Sequence, residues 1–414
     1  NNSYFYPSAG ISFVFSELAA FQNIPAISFA KLRASVGQIA RDLEPYNIYG
    51  FYEAAAPYGG NATLNTPNTQ LNPNLKPNLQ TSYEVGLEMR FLNNRLGFDA
   101  AYYKNVNPDQ ILAIQVPQSS GVASSFINAG EIETTGWEFV VDGSPFKSND
   151  IEWNIVVNFA RNRSKVVELS AGLDNYVLGN ATTFRKSIQL QARIREGWGQ
   201  IVGTRYLRDE ATGLPLLDED GIWITEDNKP IMNALPDFTG GIQNLFRYGN
   251  LTLGVNIDFQ KGGAFYSVTR MFTAYSGLSA ETVGNNDMGN PMREPVASGG
   301  GLRPIGIMPD GKENTTIYLD PQVYYGSLFD LHERWVYDAS FIKLREIALG
   351  YTFNPRIFGN TGIKGLNVSL IARNIALLSS NVEGIDPSEL EVYWHEGGQL
   401  PATRSFGINA RFTF

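Results

Sequence analysis

An all-β fold, specifically a transmembrane antiparallel β-barrel of about eleven to thirteen strands, is what this sequence predicts. Three observations carry that expectation. Stretches of up to eleven residues alternate between apolar and polar side chains. The connections between them alternate short and long. The aromatic residues of those stretches gather at the short-connection ends. The closing segment Arg404 to Phe414 shows the first property plainly. Phe406, Ile408, Ala410, Phe412 and Phe414 share one face, and Ser405, Gly407, Asn409, Arg411 and Thr413 share the other. A two-residue period is that of a strand with one oily and one wet side.

From the start of the chain, Ile11, Phe13 and Phe15 fall on one face of a first strand. In AKLRASVG, Ala30, Leu32, Ala34 and Val36 oppose Lys31, Arg33, Ser35 and Gly37. Residues 38–82 show no period and read as a long loop. TSYEVGLEMRF sets Tyr83, Val85, Leu87, Met89 and Phe91 against Glu84, Gly86, Glu88 and Arg90. Asn93-Asn94 signals a tight turn. The return strand sets Leu96, Phe98, Ala100 and Tyr102 against Gly97, Asp99 and Tyr103.

A polar loop near 105–130 follows, then Trp137, Phe139 and Val141 in alternation, and a turn at 142–150. In IEWNIVVNFA, Ile151, Trp153, Ile155, Val157 and Phe159 oppose Glu152, Asn154, Val156 and Asn158. The stretch 163–237 is irregular, with one expected strand near 194–206. Strand 238–248 turns at Gly249 into LTLGVNIDFQ, whose Leu251, Leu253, Val255, Ile257 and Phe259 keep one phase. A helix there would place Asp258 and Gly254 on the apolar stripe, so the helical template fails. After a very long segment, 262–338, comes ASFIKLREIALGYTF, whose phase slips near Arg345-Glu346, the mark of a β-bulge. A turn at 354–364, the strand with Leu366, Val368, Leu370 and Ala372, and a loop at 375–402 lead to the final strand.

Short turns at one end and long loops at the other form the outer-membrane pattern, with short periplasmic turns and long extracellular loops. Parity then requires an even number of crossings within 163–237, giving eleven or thirteen strands. The same parity brings Phe15, Phe91, Phe98, Trp153, Phe246, Tyr248, Tyr351, Phe353, Phe412 and Phe414 to the short-turn level. That is where an interfacial aromatic girdle sits. In a wide barrel the wet face lines a lumen. Lys31, Arg33, Glu84, Glu88, Arg90, Asp99, Asn154, Asp258, Arg373 and Arg411 would face it.

Composition sets outer bounds. The 414 residues carry a net charge of -9 and no cysteine. An acidic chain lacks the basic footprint of a nucleic-acid binder. A disulfide framework and thiolate metal sites are excluded. No apolar run is long enough for a membrane helix, which leaves barrel strands untouched. The two histidines, His332 and His395, fall in long loops and suit surface or loop-packing roles, with no catalytic, metal or cofactor constellation around them. Asp218-Glu219-Asp220-Gly221 lacks the ligand spacing of a calcium loop and reads as a solvated turn. Gly299–Gly301, without a following Gly-Lys-Ser/Thr, reads as a mobile loop rather than a phosphate cradle. Loop aromatics with polar tips suit wet binding surfaces. Tyr46, Tyr49, Tyr52, Tyr58, Tyr266, Tyr275, Tyr324, Tyr325 and Trp394 are therefore candidates for stacking on sugar rings or peptide side chains. The other reading is that they pack the loops together or against a partner.

Read in order, several segments resemble the SusC/RagA-like TonB-linked (TonB-dependent) outer-membrane transporters of Bacteroidota. They are KLRASVGQ at 31–38, NPNLKPNLQTSYEVGLEMRFLNNRLGFDAAYY at 72–103, TTGWEF at 134–139 and GTRYLRDEATGLPLLDEDG at 203–221. LPDFTGGIQNLFRYGNLTLGVNIDFQKGG at 235–263, RWVYDASFIKLREIALGYTF at 334–353, ARNIALLS at 372–379 and PATRSFGINARFTF at 401–414 complete the set. The last strand also resembles the signal by which the outer-membrane assembly machinery recognises its clients. The resemblance implies that residues 1–414 are the C-terminal part of one barrel domain of about 22 strands. Its plug, TonB box and earlier strands would lie on a preceding stretch or separate fragment, since the chain begins at Asn1 with none of them. It further implies a SusD-like surface lipoprotein as lid and the TonB-ExbB-ExbD system as motor, acting through the missing N-terminal part. Function would be active, non-enzymatic import of an oligosaccharide or oligopeptide across the bacterial outer membrane, in contact with its lipid. A passive porin or adhesin-like barrel without a plug is the alternative, and a soluble β enzyme the third class.

Overall fold

The computed structural model describes residues 5–41, 51–128, 130–169, 172–182, 186–359 and 361–414. Eleven antiparallel strands make one sheet in simple meander order. They are β1 (Ser8–Val14), β2 (Ile27–Arg41), β3 (Asn78–Phe91), β4 (Leu96–Asn107), β5 (Glu131–Lys147) and β6 (Ile151–Glu168). Then come β7 (Pro236–Tyr248), β8 (Leu251–Gly262), β9 (Phe341–Phe353), β10 (Gly365–Ser380) and β11 (Ser405–Thr413). Each strand pairs with the next, so β1 and β11 are the two edges.

The turn chemistry holds the meander in register. Leu92, Asn93 and Asn94 all take positive φ between β3 and β4, which asparagine tolerates better than most residues. Gly249, at φ 54°, closes the hairpin that pairs Tyr248 with Leu251. The bulge expected near Arg345-Glu346 is present: the register of β9 slips between Leu344 and Glu346 against β10, and opposite Asn256/Ile257 of β8. The turn expected at 142–150 is shorter, because β5 continues to Lys147 through an irregularity between Gly143 and Phe146. Phe15 leaves the first strand and opens a short 3-10 turn, where its ring meets Phe21 edge-on at 5.2 Å.

Among the described residues, the segment 163–237 contributes no further crossing to the wall. β6 runs on to Glu168, and a separate four-stranded sheet follows: Asn175–Thr182, Ser187–Arg193, Trp198–Tyr206 and Thr225–Asn233. The strand expected near 194–206 belongs to that sheet. The count among the described residues is therefore eleven. The segments 38–82 and 105–130 also hold more than loop. They carry the hairpin Glu53–Tyr58 with Asn61–Asn65, and the pair Ile111–Gln115 with Ser124–Asn128.

The long segment 262–338 is ordered into a cap against the four-stranded sheet. Its helix Val268–Tyr275 starts at Ser267, whose hydroxyl accepts from the Arg270 amide at 3.0 Å. The same helix buries Met271 and Ala274. The helix Pro321–Leu328 uses Pro321 at its first turn and buries Tyr325 and Leu328. These faces join Ile188, Leu190, Ile201, Leu217, Trp335 and Trp394 in one core. Trp335 is fully buried and its indole N–H donates to Leu328 O at 2.7 Å. Burying each such large side chain is worth roughly 1.5–3 kcal/mol. The core therefore holds the long loops as a folded body. Gly299–Gly301, expected to be mobile, is instead pinned: the Asn286 side-chain amide donates to the carbonyls of Gly299 and Gly301 at 3.0 and 3.1 Å.

Candidate functional site

One face of the eleven-stranded sheet is a field of ion pairs. Strand register carries the same face from Arg33 through Gly86, Ala101, Glu138 and Ala160 on β2 to β6. It continues through Asn158, Gly241, Asp258 and Lys343 on β6 to β9. Glu346 lies opposite Arg373, and Asn367 opposite Arg411, which brings the face to the far edge. Lys31, Arg33, Glu88, Arg90, Asp258, Arg373 and Arg411 thus share one side of the sheet.

Most of these charges are matched across strands. Lys31 meets Glu88 at 2.5 Å. Arg33 grips Asp99 with two bonds of 2.8 Å and touches Glu84 at 3.4 Å. Arg90 meets Asp142 at 2.8 Å, Arg247 meets Glu152 at 3.1 Å, and Arg373 meets Glu346 at 2.7 Å. Glycine makes the longer reaches possible. A Cβ on Gly86 would collide with the Arg33 guanidinium, and one on Gly97 with Arg90 and Asp142. Gly136 likewise lies under the Tyr103 ring. Near the β1 edge the same face hollows into a cleft of about 580 Å³, lined by Ser35, Gln80, Ser82, Tyr103, Asn105 and Asn162 among others. Hydroxyls and amides of this kind can both give and accept hydrogen bonds.

A second contact ties the polar face to the loops. Lys343 is 1% exposed, and its ammonium meets Asp386 at 2.6 Å and Glu389 at 2.9 Å, with the Ser388 hydroxyl at 3.1 Å. Arg345 bridges the same Glu389 and Asp258 of β8. The 381–404 loop is thereby anchored onto the wet side of the wall. Burial would push the Asp386 carboxyl up, but bonds from Lys343 and Ser388 hold it below its ordinary value. The sequence signal for Lys343 was its wet phase on β9; nothing local marked a partner 43 residues on.

The candidate loop aromatics separate into two groups. Tyr266 is fully buried with its hydroxyl 2.9 Å from Met271 Sδ. Tyr325 is buried and donates to Glu281 O at 2.5 Å. Burial pushes its phenol up to about 12, with the Glu281 carboxylate adding to the shift. Trp394 is buried over Gly179. Tyr324 is half-buried, edge-on to Trp223 at 5.0 Å. Tyr266, Tyr325 and Trp394 are packing residues of the cap core in this arrangement. They have little ring surface left for a ligand, because the loops they sit on bury that surface against each other. Tyr275 differs. It is half exposed, lies 4.6 Å from the Phe329 ring, and borders a cleft of about 560 Å³ with Arg293, Asp320 and Gln322. Tyr52 and Tyr58 are exposed on or beside the Glu53–Tyr58 hairpin; Tyr46 and Tyr49 lie outside the described residues.

His332 is a loop-packing residue, wholly buried. Its Nδ1 accepts from the Thr204 amide at 3.0 Å, and its ring stands edge-on to Tyr266 at 5.5 Å. Burial, helped by Lys186 and opposed by Asp227, lowers its pKa to about 4. Asp218 forms a turn in which its Oδ1 accepts from the Asp220 and Ile222 amides at 3.0 and 2.8 Å. No group of three or more metal-ligating side chains occurs among the described residues.

A wide antiparallel sheet, oily on one side and ion-paired on the other, with ordered loops at one end, defines an outer-membrane β-barrel wall. Residues 1–287 match the family described as TonB dependent receptor-like, beta-barrel, and the chain belongs to that family. Its members are outer-membrane receptors and transporters, not enzymes. TonB-dependent receptor P3 of Formosa agariphila is 26% identical over 410 residues, 94% of this chain and 38% of that protein. TonB-dependent receptor SusC of Bacteroides thetaiotaomicron is 22% identical over 413 residues, 92% of this chain and 37% of that protein. The chain thus spans under two fifths of the length of these relatives. The solved RagAB peptide importer in its open-open state superposes with a TM-score of 0.73 at 20% identity, over 100% of this chain and 43% of that one. At that identity the likeness is one of fold.

Proposed function

We propose that residues 1–414 form the C-terminal part of the barrel of an outer-membrane active importer for a large polar nutrient, an oligosaccharide or oligopeptide. The observation that carries this reading is the continuous polar face, with its hydroxyl- and amide-lined cleft, on a wall whose long loops fold into an ordered cap. A water-filled lumen needs such a lining, and lipid would reject it. On this reading Lys31, Arg33, Glu88, Arg90, Asp258, Arg373 and Arg411 face the lumen. The backbone edges of β1 and β11 pair with strands of the remaining barrel, because unpaired edges are not tolerated in hydrocarbon. The half-exposed Tyr275, beside Arg293 and Asp320, is a ligand contact on the loop side.

Import would then run as in a lidded transporter. A SusD-like lipoprotein opens over the loops, substrate settles above the lumen, and TonB with ExbB and ExbD, acting on a plug outside this stretch, clears the path. The RagAB likeness and the SusC relative support this reading, and the RagAB description favours peptides as the first substrates to try. The test is uptake of labelled oligopeptides and oligosaccharides by cells carrying the full-length gene, with and without a protonophore. Energy-dependent accumulation of one class supports the importer. Uptake that survives the protonophore would point instead to a passive pore.

A further inference from the structure

We infer that the cleft near the β1 edge is a lumen-wall subsite for an uncharged sugar unit of an oligosaccharide, with the Tyr103 ring as its stacking platform. The inference rests on the lumen facing of the import reading and narrows the cargo of that reading to sugar. One rung of the wet face crosses five strands at this level. Ser35 of β2 lies opposite Glu84, Glu84 opposite Tyr103, Tyr103 opposite Gly136, and Gly136 opposite Asn162 of β6. On the next rung Gly37 lies opposite Ser82, and Ser82 opposite Asn105. Both rungs are close to the long-loop end, since β4 finishes at Asn107, four residues beyond Tyr103. At about 3.4 Å per residue in a tilted strand, Tyr103 lies roughly 10 Å inside the mouth. A cargo arriving through the loops meets the wall there.

Tyr103 does not stand out from the wall. A Cβ at position 136 would strike its Cζ and Oη, so the ring lies down across the bare backbone of Gly136. One ring face is thereby set on the sheet and the residue is half-buried. The other face is turned to the lumen. Among the described residues no second ring covers it: the neighbouring Tyr102 and Trp137 pair at 4.7 Å on the opposite, oily side. A pyranose carries one face of C–H bonds and a rim of hydroxyls. An exposed π face with a polar tip matches that shape, stacking on the C–H face while the hydroxyls reach sideways.

The groups beside the ring are polar, uncharged and uncommitted. Among the described residues, the side chains of Ser35, Asn105 and Asn162 and the Tyr103 hydroxyl have no hydrogen-bond partner. Hydroxyls and side-chain amides both give and accept, as sugar hydroxyls do. Charge in the cleft is already spent. Its carboxylate, Glu84, is held by Arg33 at 3.4 Å, and Arg33 is itself committed to Asp99 through two bonds of 2.8 Å. No lysine or arginine lines the cleft among the described residues, which leaves nothing to offset an acidic sugar. One rung deeper the exposed Glu138 adds a further negative charge that turns anions away. A peptide would bring charged termini to a lining without a free countercharge, and an unpaired charge is costly to take from water. The lining therefore selects a neutral sugar.

The test is calorimetric titration of the purified full-length protein with maltohexaose, xylohexaose and mannohexaose, beside hexagalacturonate and a lysine-containing hexapeptide. A neutral hexaose is expected to bind. Tyr103→Ala should weaken it about tenfold or more, and Tyr103→Phe, which keeps the ring, should stay within about threefold of the wild type. Binding of hexagalacturonate or the peptide alone, binding of no neutral hexaose, or an affinity untouched by Tyr103→Ala overturns the subsite. Should Tyr103→Ala fail to assemble, Asn162→Ala decides: a several-fold loss supports the subsite and an unchanged affinity refutes it. Binding needs no energy, so the result is separate from the uptake test. Energy-dependent uptake with Tyr103-independent binding overturns the subsite and leaves the importer standing. Uptake that survives the protonophore, with binding that still depends on Tyr103, overturns the importer and leaves the subsite.

Discussion

Arg90 Nη1 reaches Asp142 Oδ2 at 2.8 Å across the bare backbone of Gly97, which pairs with Arg90 on one side and Asp142 on the other. Three adjacent strands are thus bridged by one ion pair, and only a residue without a side chain can lie beneath it.

Replacing Gly97 with valine should displace that pair and force the wall apart locally, at a cost of about 1–3 kcal/mol. Gly37→Ala is the contrast, because its Cβ would meet only Ser8 Cβ at an ordinary 3.5 Å. Urea unfolding in bilayers should separate the two. Equal midpoints would show that the ion pair does not need the gap.

The facing of β8 predicts an asymmetry of charge tolerance. Leu253→Arg or Val255→Arg should cost about 2–4 kcal/mol in a barrel-folding assay. Asn256→Arg should cost far less, since position 256 lies on the wet face opposite Glu346. Matching penalties would contradict the assignment of the faces.

Lys343→Met removes a buried cation and leaves Asp386 without its ammonium partner, while Arg345 still holds Glu389. Both carboxylates keep some exposure to water, so the loss should be about 1–3 kcal/mol. The loss should appear as faster amide exchange across 381–403, with the wall strands unchanged. Unaltered exchange in that loop would mean Lys343 does not anchor it.

His332 predicts a pH dependence confined to the cap. Its folded pKa of about 4 lies below the ordinary 6.5. Above 6.5 the ring is neutral in both states and the cap has its full stability. As pH falls through 6.5, the opened cap takes up a proton that the folded one refuses. Stability then declines towards pH 4 by up to about 3 kcal/mol. Exchange rates in 198–206 should rise over that window in the wild type and stay flatter in His332→Leu. Parallel pH profiles would exclude the histidine as the cause.

The wall was legible because its code is local. Alternation in LTLGVNIDFQ, the paired asparagines at 93–94 and the phase slip at Arg345 each fix something within a few residues, and each recurs in the fold. The candidate site was legible only in part. Lys31, Arg33 and Arg90 could be placed on the wet face, but not matched to Glu88, Asp99 and Asp142, since those partners depend on which strands become neighbours. The segment 163–237 stayed open between no crossing and two, because the strand around 198–206 carries a similar local pattern whether it joins the wall or a separate sheet. Loop aromatics were ambiguous for the same reason: Tyr275 and Tyr266 look alike in sequence, and one ends half exposed while the other is sealed.

The amino-acid order alone set strand identity, facing and the sidedness of turns and loops, because a two-residue period commits every side chain to one surface or the other. Three-dimensional packing alone decided that the wall has eleven strands here, that the long loops condense around Trp335, and that Lys343 holds a distant loop. Those outcomes depend on contacts between residues far apart in the chain, and no local period encodes such contacts.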